Sequence, residues 1–272
     1  MLLLAVLAGL TGCDRTTTPG SAVVSESGHF AGRITSADGS PITLPGVEYK
    51  ITISGVTAVG EHNAFHPPVG RDGTFKLKLP QGLFHPPYGT ITFPFEGKKY
   101  IADLEPVDPF QGTRDGAPGI AQKFVWRITG PRARALNPDV NNATHWFGIT
   151  IPVNFQAYRA DTQQVVKPLP GGSVIVWTLK PTSKLIDGSE AKPLTVERKW
   201  NVGALSSMDA LNDLPPANYS VSAVAKLPDG STKPVLVEEF NERKYKPVAT
   251  LILQPSGDAV WTLPTMLSWV VE

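Results

Sequence analysis

Cys13 is the only cysteine in this chain of 272 residues. No intrachain disulfide is therefore possible, and no zinc site built on paired thiolates. Charge of one sign is missing as well: 25 Lys and Arg stand against 24 Asp and Glu, a formal net charge of +1. The chain as a whole carries no field that would draw it to nucleic acid or to an anionic membrane surface. No apolar run reaches the ~20 residues that a membrane-crossing helix needs. Long amphipathic helical patterns are absent too. The Gly-x-Ser-x-Gly nucleophile elbow and the Gly-x-x-x-x-Gly-Lys phosphate loop do not occur, and a Ser-x-x-Lys pair would need a helix that the pattern does not supply.

What the chain does have is enough apolar material for real cores (41%), with 25 Gly and 26 Pro spread along it. That distribution excludes global disorder and punctuates many short strands. Val47-Glu-Tyr49-Lys-Ile51-Thr-Ile53 alternates apolar and polar residues, the period of a half-buried strand. Phe75-Lys-Leu77-Lys-Leu79, Ile91-Thr-Phe93, Phe124-Val-Trp126-Arg-Ile128 and Tyr219-Ser-Val221-Ser-Ala223 repeat it. Ser173–Leu179 is apolar on both faces and predicts a central strand. Five Asp-Gly pairs, at 38–39, 72–73, 115–116, 187–188 and 229–230, suit type I′ hairpin turns. The fold class expected is all-β. The best helical candidate is short, Ser206–Asn212 behind a serine cap and ended by Pro215-Pro216.

Residues 131–145 lack strand alternation and read as a linker between a β-sandwich over 28–130 and a second over 146–272. Leu79-Pro80-Gln-Gly82 before Tyr88 is echoed by Leu214-Pro215-Pro-Ala-Asn218-Tyr219, with 214 − 79 = 135 residues between the Leu-Pro pairs. A duplicated module is one reading of that echo.

Two family resemblances add to this. The apolar stretch closed by Leu10-Thr11-Gly12-Cys13 resembles the lipobox of bacterial lipoproteins. The resemblance implies a signal peptide over 1–12, cleavage before Cys13, diacylglycerol on its sulfur with palmitate-class acylation, and a membrane anchor. Residues 13–27 then read as a flexible tether, Asp14-Arg-Thr-Thr-Thr-Pro-Gly-Ser21 being polar and breaker-rich. No Lys or Arg precedes the apolar run, a departure from the usual basic leader. Asp14 resembles the signal that retains enteric lipoproteins on the inner membrane. Further on, Gly32-Arg-Ile-Thr-Ser-Ala-Asp38-Gly39-Ser-Pro41-Ile42, Asp72-Gly73-Thr-Phe75 and Leu79-Pro80-Gln-Gly82 resemble the carboxypeptidase regulatory-like domain over about 28–102. That likeness implies a transthyretin-like or immunoglobulin-like Greek-key sandwich without catalytic residues. The loop 55–70 is longer than the family expects, and Leu83–Pro87 is inserted before the tyrosine.

Three groups of residues are candidates for chemistry. His62, His66 and His85 fall in two loops flanking one strand and are weak candidates for Zn²⁺ or Cu²⁺; rigid His-Pro-Pro corners are the simpler reading. Asp103, Glu105, Asp108 and Asp115 form a carboxylate run of the kind that holds Ca²⁺, although they lack the ordered ligand spacing of a calcium loop. Of the tryptophans 126, 146, 177, 200, 261 and 269, most fall in alternating strands that predict core packing; Trp146-Phe147 is the pair to test for exposure. Asn142-Ala-Thr144 and Asn218-Tyr-Ser220 fit the glycosylation triplet but carry little weight in a bacterial lipoprotein. The expectation is a protein that is not an enzyme, needs no cofactor and lies outside the cytoplasm, lipid-anchored to the cell membrane or outer membrane. It would act as a binding or structural module whose partners are that membrane and envelope proteins or polysaccharide, not nucleic acid. The alternatives are a carbohydrate-binding accessory protein, or a metal-binding protein or enzyme using the 61–87 loops.

Overall fold

The structure, a computed structural model, describes residues 25–132, 145–159, 161–200, 208–239, 244–253 and 267–271. The leader 1–12, Cys13, Asp14 and most of the tether lie outside the described residues. So do the interior of the linker with Asn142 and Thr144, and Trp261. Among the described residues every regular element is a strand, and none is an α-helix.

The first sheet takes β1 (His29–Ser36), β2 (Glu48–Thr57), β3 (His62–Phe65), β4 (Thr74–Lys78), β5 (Gly82–Phe84), β6 (Tyr88–Phe95), β7 (Lys98–Val107), β8 (Arg114–Asp115) and β9 (Ile120–Trp126). Their order is β4-β1-β9-β7-β6-β2-β5-β8, with β3 also on β2. In β1 the period of two sends Phe30, Gly32 and Ile34 into the core and leaves His29, Ala31 and Arg33 half-buried on the other face. Phe30 and Phe75 meet at 5.1 Å between ring centroids, and Phe93 meets Trp126 at the same distance.

The second sheet and its satellite ribbon follow: β10 (Ile149–Phe155), β11 (Tyr158–Arg159), β12 (Gln164–Val165), β13 (Val174–Pro181), β14 (Leu194–Lys199), β15 (Met208–Leu214), β16 (Tyr219–Lys226), β17 (Thr232–Glu239), β18 (Ala249–Leu251) and β19 (Leu267–Val271). Strands run β14-β13-β16-β17-β19-β10-β15, with β18 also on β16 and β11-β12 paired apart. The central strand expected at 173–179 is β13, flanked by β14 and β16. The core centres on Trp269, whose ring lies 4.9 Å from Phe155, 5.6 Å from Trp200 and 6.4 Å from Trp177. The open edges β14 and β15 face each other across a seam, where the Arg198 guanidinium donates to the Ala210 carbonyl at 3.1 and 3.2 Å.

The two sheets share one arrangement. In each, the first strand lies parallel to the last: β1 beside β9 from Phe30↔Ile120 to Ser36↔Trp126, and β10 beside β19 from Val153↔Leu267 to Phe155↔Trp269. The two Leu-Pro corners differ. Tyr219 is buried and its hydroxyl donates to the Pro215 carbonyl, closing a corner, whereas Tyr88 is exposed and Phe84 fills the core beside it.

Two local expectations are corrected. Of the helical turn expected at Ser206–Asn212, the described part, from Met208, is strand, and Ser206 and Ser207 lie outside the described residues. Leu211 and Leu214 are three apart, as on a helix face, yet both are buried in a strand because a bulge sets Asn212 and Asp213 against the single residue Thr150. The Asp-Gly turns are not type I′ either. In four of them only the glycine has positive φ: Gly39 (+88°), Gly73 (+79°), Gly188 (+82°) and Gly230 (+84°). These are type I turns followed by a glycine bulge. The residue after each glycine is Ser or Thr, and its N–H and hydroxyl both donate to the aspartate, as Ser40 does to Asp38 at 2.9 and 2.7 Å. Type I′ geometry occurs instead at Glu96–Gly97, with φ of +48° and +74°.

Candidate functional site

The histidine loops are not brought together. His62 lies on β3 opposite Val56 of β2, while His85 follows β5 on the other side of β2, its N–H donating to the Ser54 carbonyl. Two strand spacings separate them, roughly 10 Å of backbone. His66 turns its Nδ1 toward Thr52 Oγ1 (3.1 Å) and the Ile51 carbonyl (3.3 Å). Among the described residues no group of three or more His, Cys, Asp or Glu side chains is placed to hold a metal ion. The carboxylate run is divided as well. Glu105 pairs with Arg127 (2.5 Å) and Asp103 with Arg132 (3.2 Å), whereas Asp115 caps the Ala117 N–H at 2.9 Å. Trp177, Trp200 and Trp269 are core residues, which leaves them no face for stacking a sugar, and Trp126 is buried too, although it borders the cleft described below. Of the junction pair, Trp146 is half-buried and Phe147 buried, with the Arg132 guanidinium 4.7 Å above its ring.

The junction between the sheets draws residues from both. Pro131 and Trp146, at the two ends of the expected linker, form an antiparallel bridge, with Arg132 N–H on the His145 carbonyl and Phe147 N–H on the Gly130 carbonyl. Tyr100 of β7, fully inside, donates its hydroxyl to the Leu253 carbonyl at 2.9 Å. Asp213, the bulge residue of β15, holds φ of +58° and accepts the N–H groups of Gly130 (2.7 Å) and Gly148 (3.2 Å). Sequence reasoning missed Asp213. Nothing in Asn-Asp-Leu-Pro announces that an aspartate will occupy left-handed backbone and tie two glycines to a sheet end.

Burial holds the Asp213 carboxyl above its usual range, and the two backbone donors offset only some of that. A raised carboxyl binds its proton more tightly folded than unfolded. It therefore favours the fold at low pH and opposes it once pH climbs through the raised value. Asp213→Asn keeps the acceptor oxygen and tolerates positive φ, so its melting temperature at neutral pH should equal or exceed that of the parent, and the advantage should vanish in acid. Asp213→Ala strands both N–H groups and should cost about 2 kcal/mol. Thermal unfolding across pH 4–8 checks both.

Beside the junction opens a cleft of about 230 Å³, lined by residues 36–38 and 40–44 of the β1–β2 loop, by Trp126 and Ile128, and by Asp187 from the second sheet's Asp-Gly turn. Hydrogen bonds from Ser36, and then from Ser40, hold Asp38 down to about 2, so it stays ionised at neutral pH. The indole Nε1 of Trp126 is buried without an acceptor. Carboxylates, hydroxyls and an aliphatic wall suit a small polar solute better than an apolar one.

A second polar cluster clamps the β11–β12 ribbon to the sheet. Arg159 grips Asp161 through Nε and Nη2 at 3.0 and 2.8 Å and lies 5.7 Å from the Tyr245 ring centroid. Burial, with the neighbouring Glu238, raises the Tyr245 phenol well above its ordinary value. A phenol pushed in that direction is no base at neutral pH, so the cluster reads as a fastening.

No protein-family model matches this chain, and no curated protein does. Among solved structures it is similar to a tetra-tandem repeat from the extending region of a large adhesion protein (8% identity over 86% of this chain and 67% of that one, TM-score 0.18). It is also similar to the major pilin of Streptococcus pyogenes (11% identity over 92% and 98%, TM-score 0.20) and to the major pilin subunit of Bacillus cereus (8% over 89% and 95%, TM-score 0.21).

Proposed function

We propose that this chain is an envelope-anchored lipoprotein, joined to a membrane through Cys13 and carrying two Greek-key β-sandwich modules, 28–130 and 146–272, that serve as a non-catalytic spacer or binding unit. The observation that supports it most is the bonded junction. Tyr100 reaches Leu253, and Asp213 ties Gly130 and Gly148, so hydrogen bonds fasten one module to the other. A fastened pair of modules suits a spacer, and Asp38, Asp103, Glu105 and Asp115 are engaged in turns and ion pairs. The shared pairing of first and last strands supports a common architecture for the two modules.

The anchor is tested on the protein made in a bacterial host. The parent should fractionate with membranes and carry the mass of a diacylglyceryl cysteine, whereas Cys13→Ser should move to the soluble fraction. Lipidated cysteine with two or three chains holds firmly. A parent chain recovered soluble, with residues 1–13 retained and no lipid mass, would refute the reading.

A further inference from the structure

The charges of the first sheet are unevenly spread. On the outward face of β7, Asp103 and Glu105 are each matched by an arginine. From the neighbouring β9 onward the pattern changes. Strand register places Lys76 and Lys78 of β4, Arg33 of β1 and Lys123 of β9 on one outward face. Glu26 pairs with Lys76, and Asp72 stands at the rim near Arg33. Among the described residues no carboxylate lies within ion-pair distance of Arg33, Lys78 or Lys123. Arg33 and Lys123 stand directly opposite each other on adjacent strands.

Lysines on an edge strand such as β4 have a structural explanation, since they discourage edge-to-edge pairing. That explanation does not reach Arg33 or Lys123, because β1 and β9 are flanked on both sides. Like charges directly across a strand pair destabilise a sheet. An anionic partner would remove that cost. The place of the face in the chain says which partner. His29, where β1 begins, is opposite Lys78 on this face, and 29 − 13 = 16 residues separate it from Cys13. Sixteen residues span no more than about 55 Å, so an anchor at Cys13 keeps this end of the sheet near the bilayer.

We propose that the outward face of β4, β1 and β9 docks on the anionic phospholipid headgroups of the membrane that holds Cys13. The proposal rests on the lipoprotein reading for the chain's location, while the face itself is testable without the lipid. Full-length Cys13→Ser protein is floated with vesicles of phosphatidylcholine alone or with a third phosphatidylglycerol, at low salt. Binding to the anionic vesicles and not the neutral ones is expected. Adding Arg33→Gln, Lys78→Gln and Lys123→Gln should weaken it at least about tenfold. A control set of exposed second-sheet lysines, Lys192→Gln, Lys199→Gln and Lys233→Gln, should leave it unchanged, and matching melting curves show that both sets fold. Equal recovery on both vesicles, equal loss in both variant sets, or tighter binding to soluble polyphosphate than to the vesicles would overturn the proposal. The lipid mass of the parent chain reports on the anchor separately, so either idea can fail alone.

Discussion

Gly32→Ala is expected to unfold the first sheet. Gly32 lies in β1 between β4 and β9, and a Cβ built there would fall 1.9 Å from the Gln122 carbonyl oxygen and 2.2 Å from Phe75 Cζ. The first contact is with backbone and cannot swing aside. The second is with a buried ring already packed on Phe30 and Phe124. Overpacking a core usually costs about 1–3 kcal/mol, and a clash that must push paired strands away from each other should exceed about 4 kcal/mol. Gly39→Ala makes a useful contrast: its Cβ would meet nothing within 4 Å, but φ is +88°. That change should cost only the strain of left-handed backbone, about 1–2 kcal/mol. Calorimetry, in which the two sheets can report separate transitions, would show the first lost in Gly32→Ala and merely lowered in Gly39→Ala. A soluble Gly32→Ala protein melting like the parent would contradict the packing described for β1.

The second large effect belongs to Trp269. It is buried, and its ring lies within 6.4 Å of three other aromatic rings, more than any other described residue of the second core. Removing it leaves a cavity that Phe155, Trp177 and Trp200 cannot fill without moving their backbone. Trp269→Ala should therefore cost about 3–5 kcal/mol, whereas Trp269→Phe should retain much of that. The near-ultraviolet dichroism of the coupled indoles should collapse in the alanine variant while the first sheet's transition stays in place. Loss of both transitions together would instead show that the junction makes the sheets fold as one unit.

Periodicity made most strands legible. The alternation at 47–53, 75–79, 91–93 and 219–223 appears in the structure as strands with apolar residues inward, whereas at 124–128 the strand ends at Trp126 and Val125 is buried as well. What failed was local geometry that two-residue patterns do not encode. Leu211 and Leu214 mimic a helix because a bulge absorbs one residue, and Asp-Gly occurs in several turn types until the following Ser or Thr hydroxyl decides. The junction was illegible for another reason. Tyr100 and Leu253 are 253 − 100 = 153 positions apart. No local signal links them. The basic face was hidden by averaging over the whole chain: a net charge of +1 says nothing about Arg33 and Lys123 standing side by side.

The parallel partnership of first and last strands has a mechanical consequence. Chain enters the first sheet at the His29 end of β1 and leaves at the Trp126 end of β9, so tension between those points slides the two strands lengthwise past each other. Every bridging bond along the seven residue pairs from Phe30↔Ile120 to Ser36↔Trp126 is then loaded at once instead of unzipping in turn. Among the described residues the seam between β10 and β19 shows three such pairs, Val153↔Leu267 to Phe155↔Trp269, and a lengthwise pull loads it in the same shearing geometry.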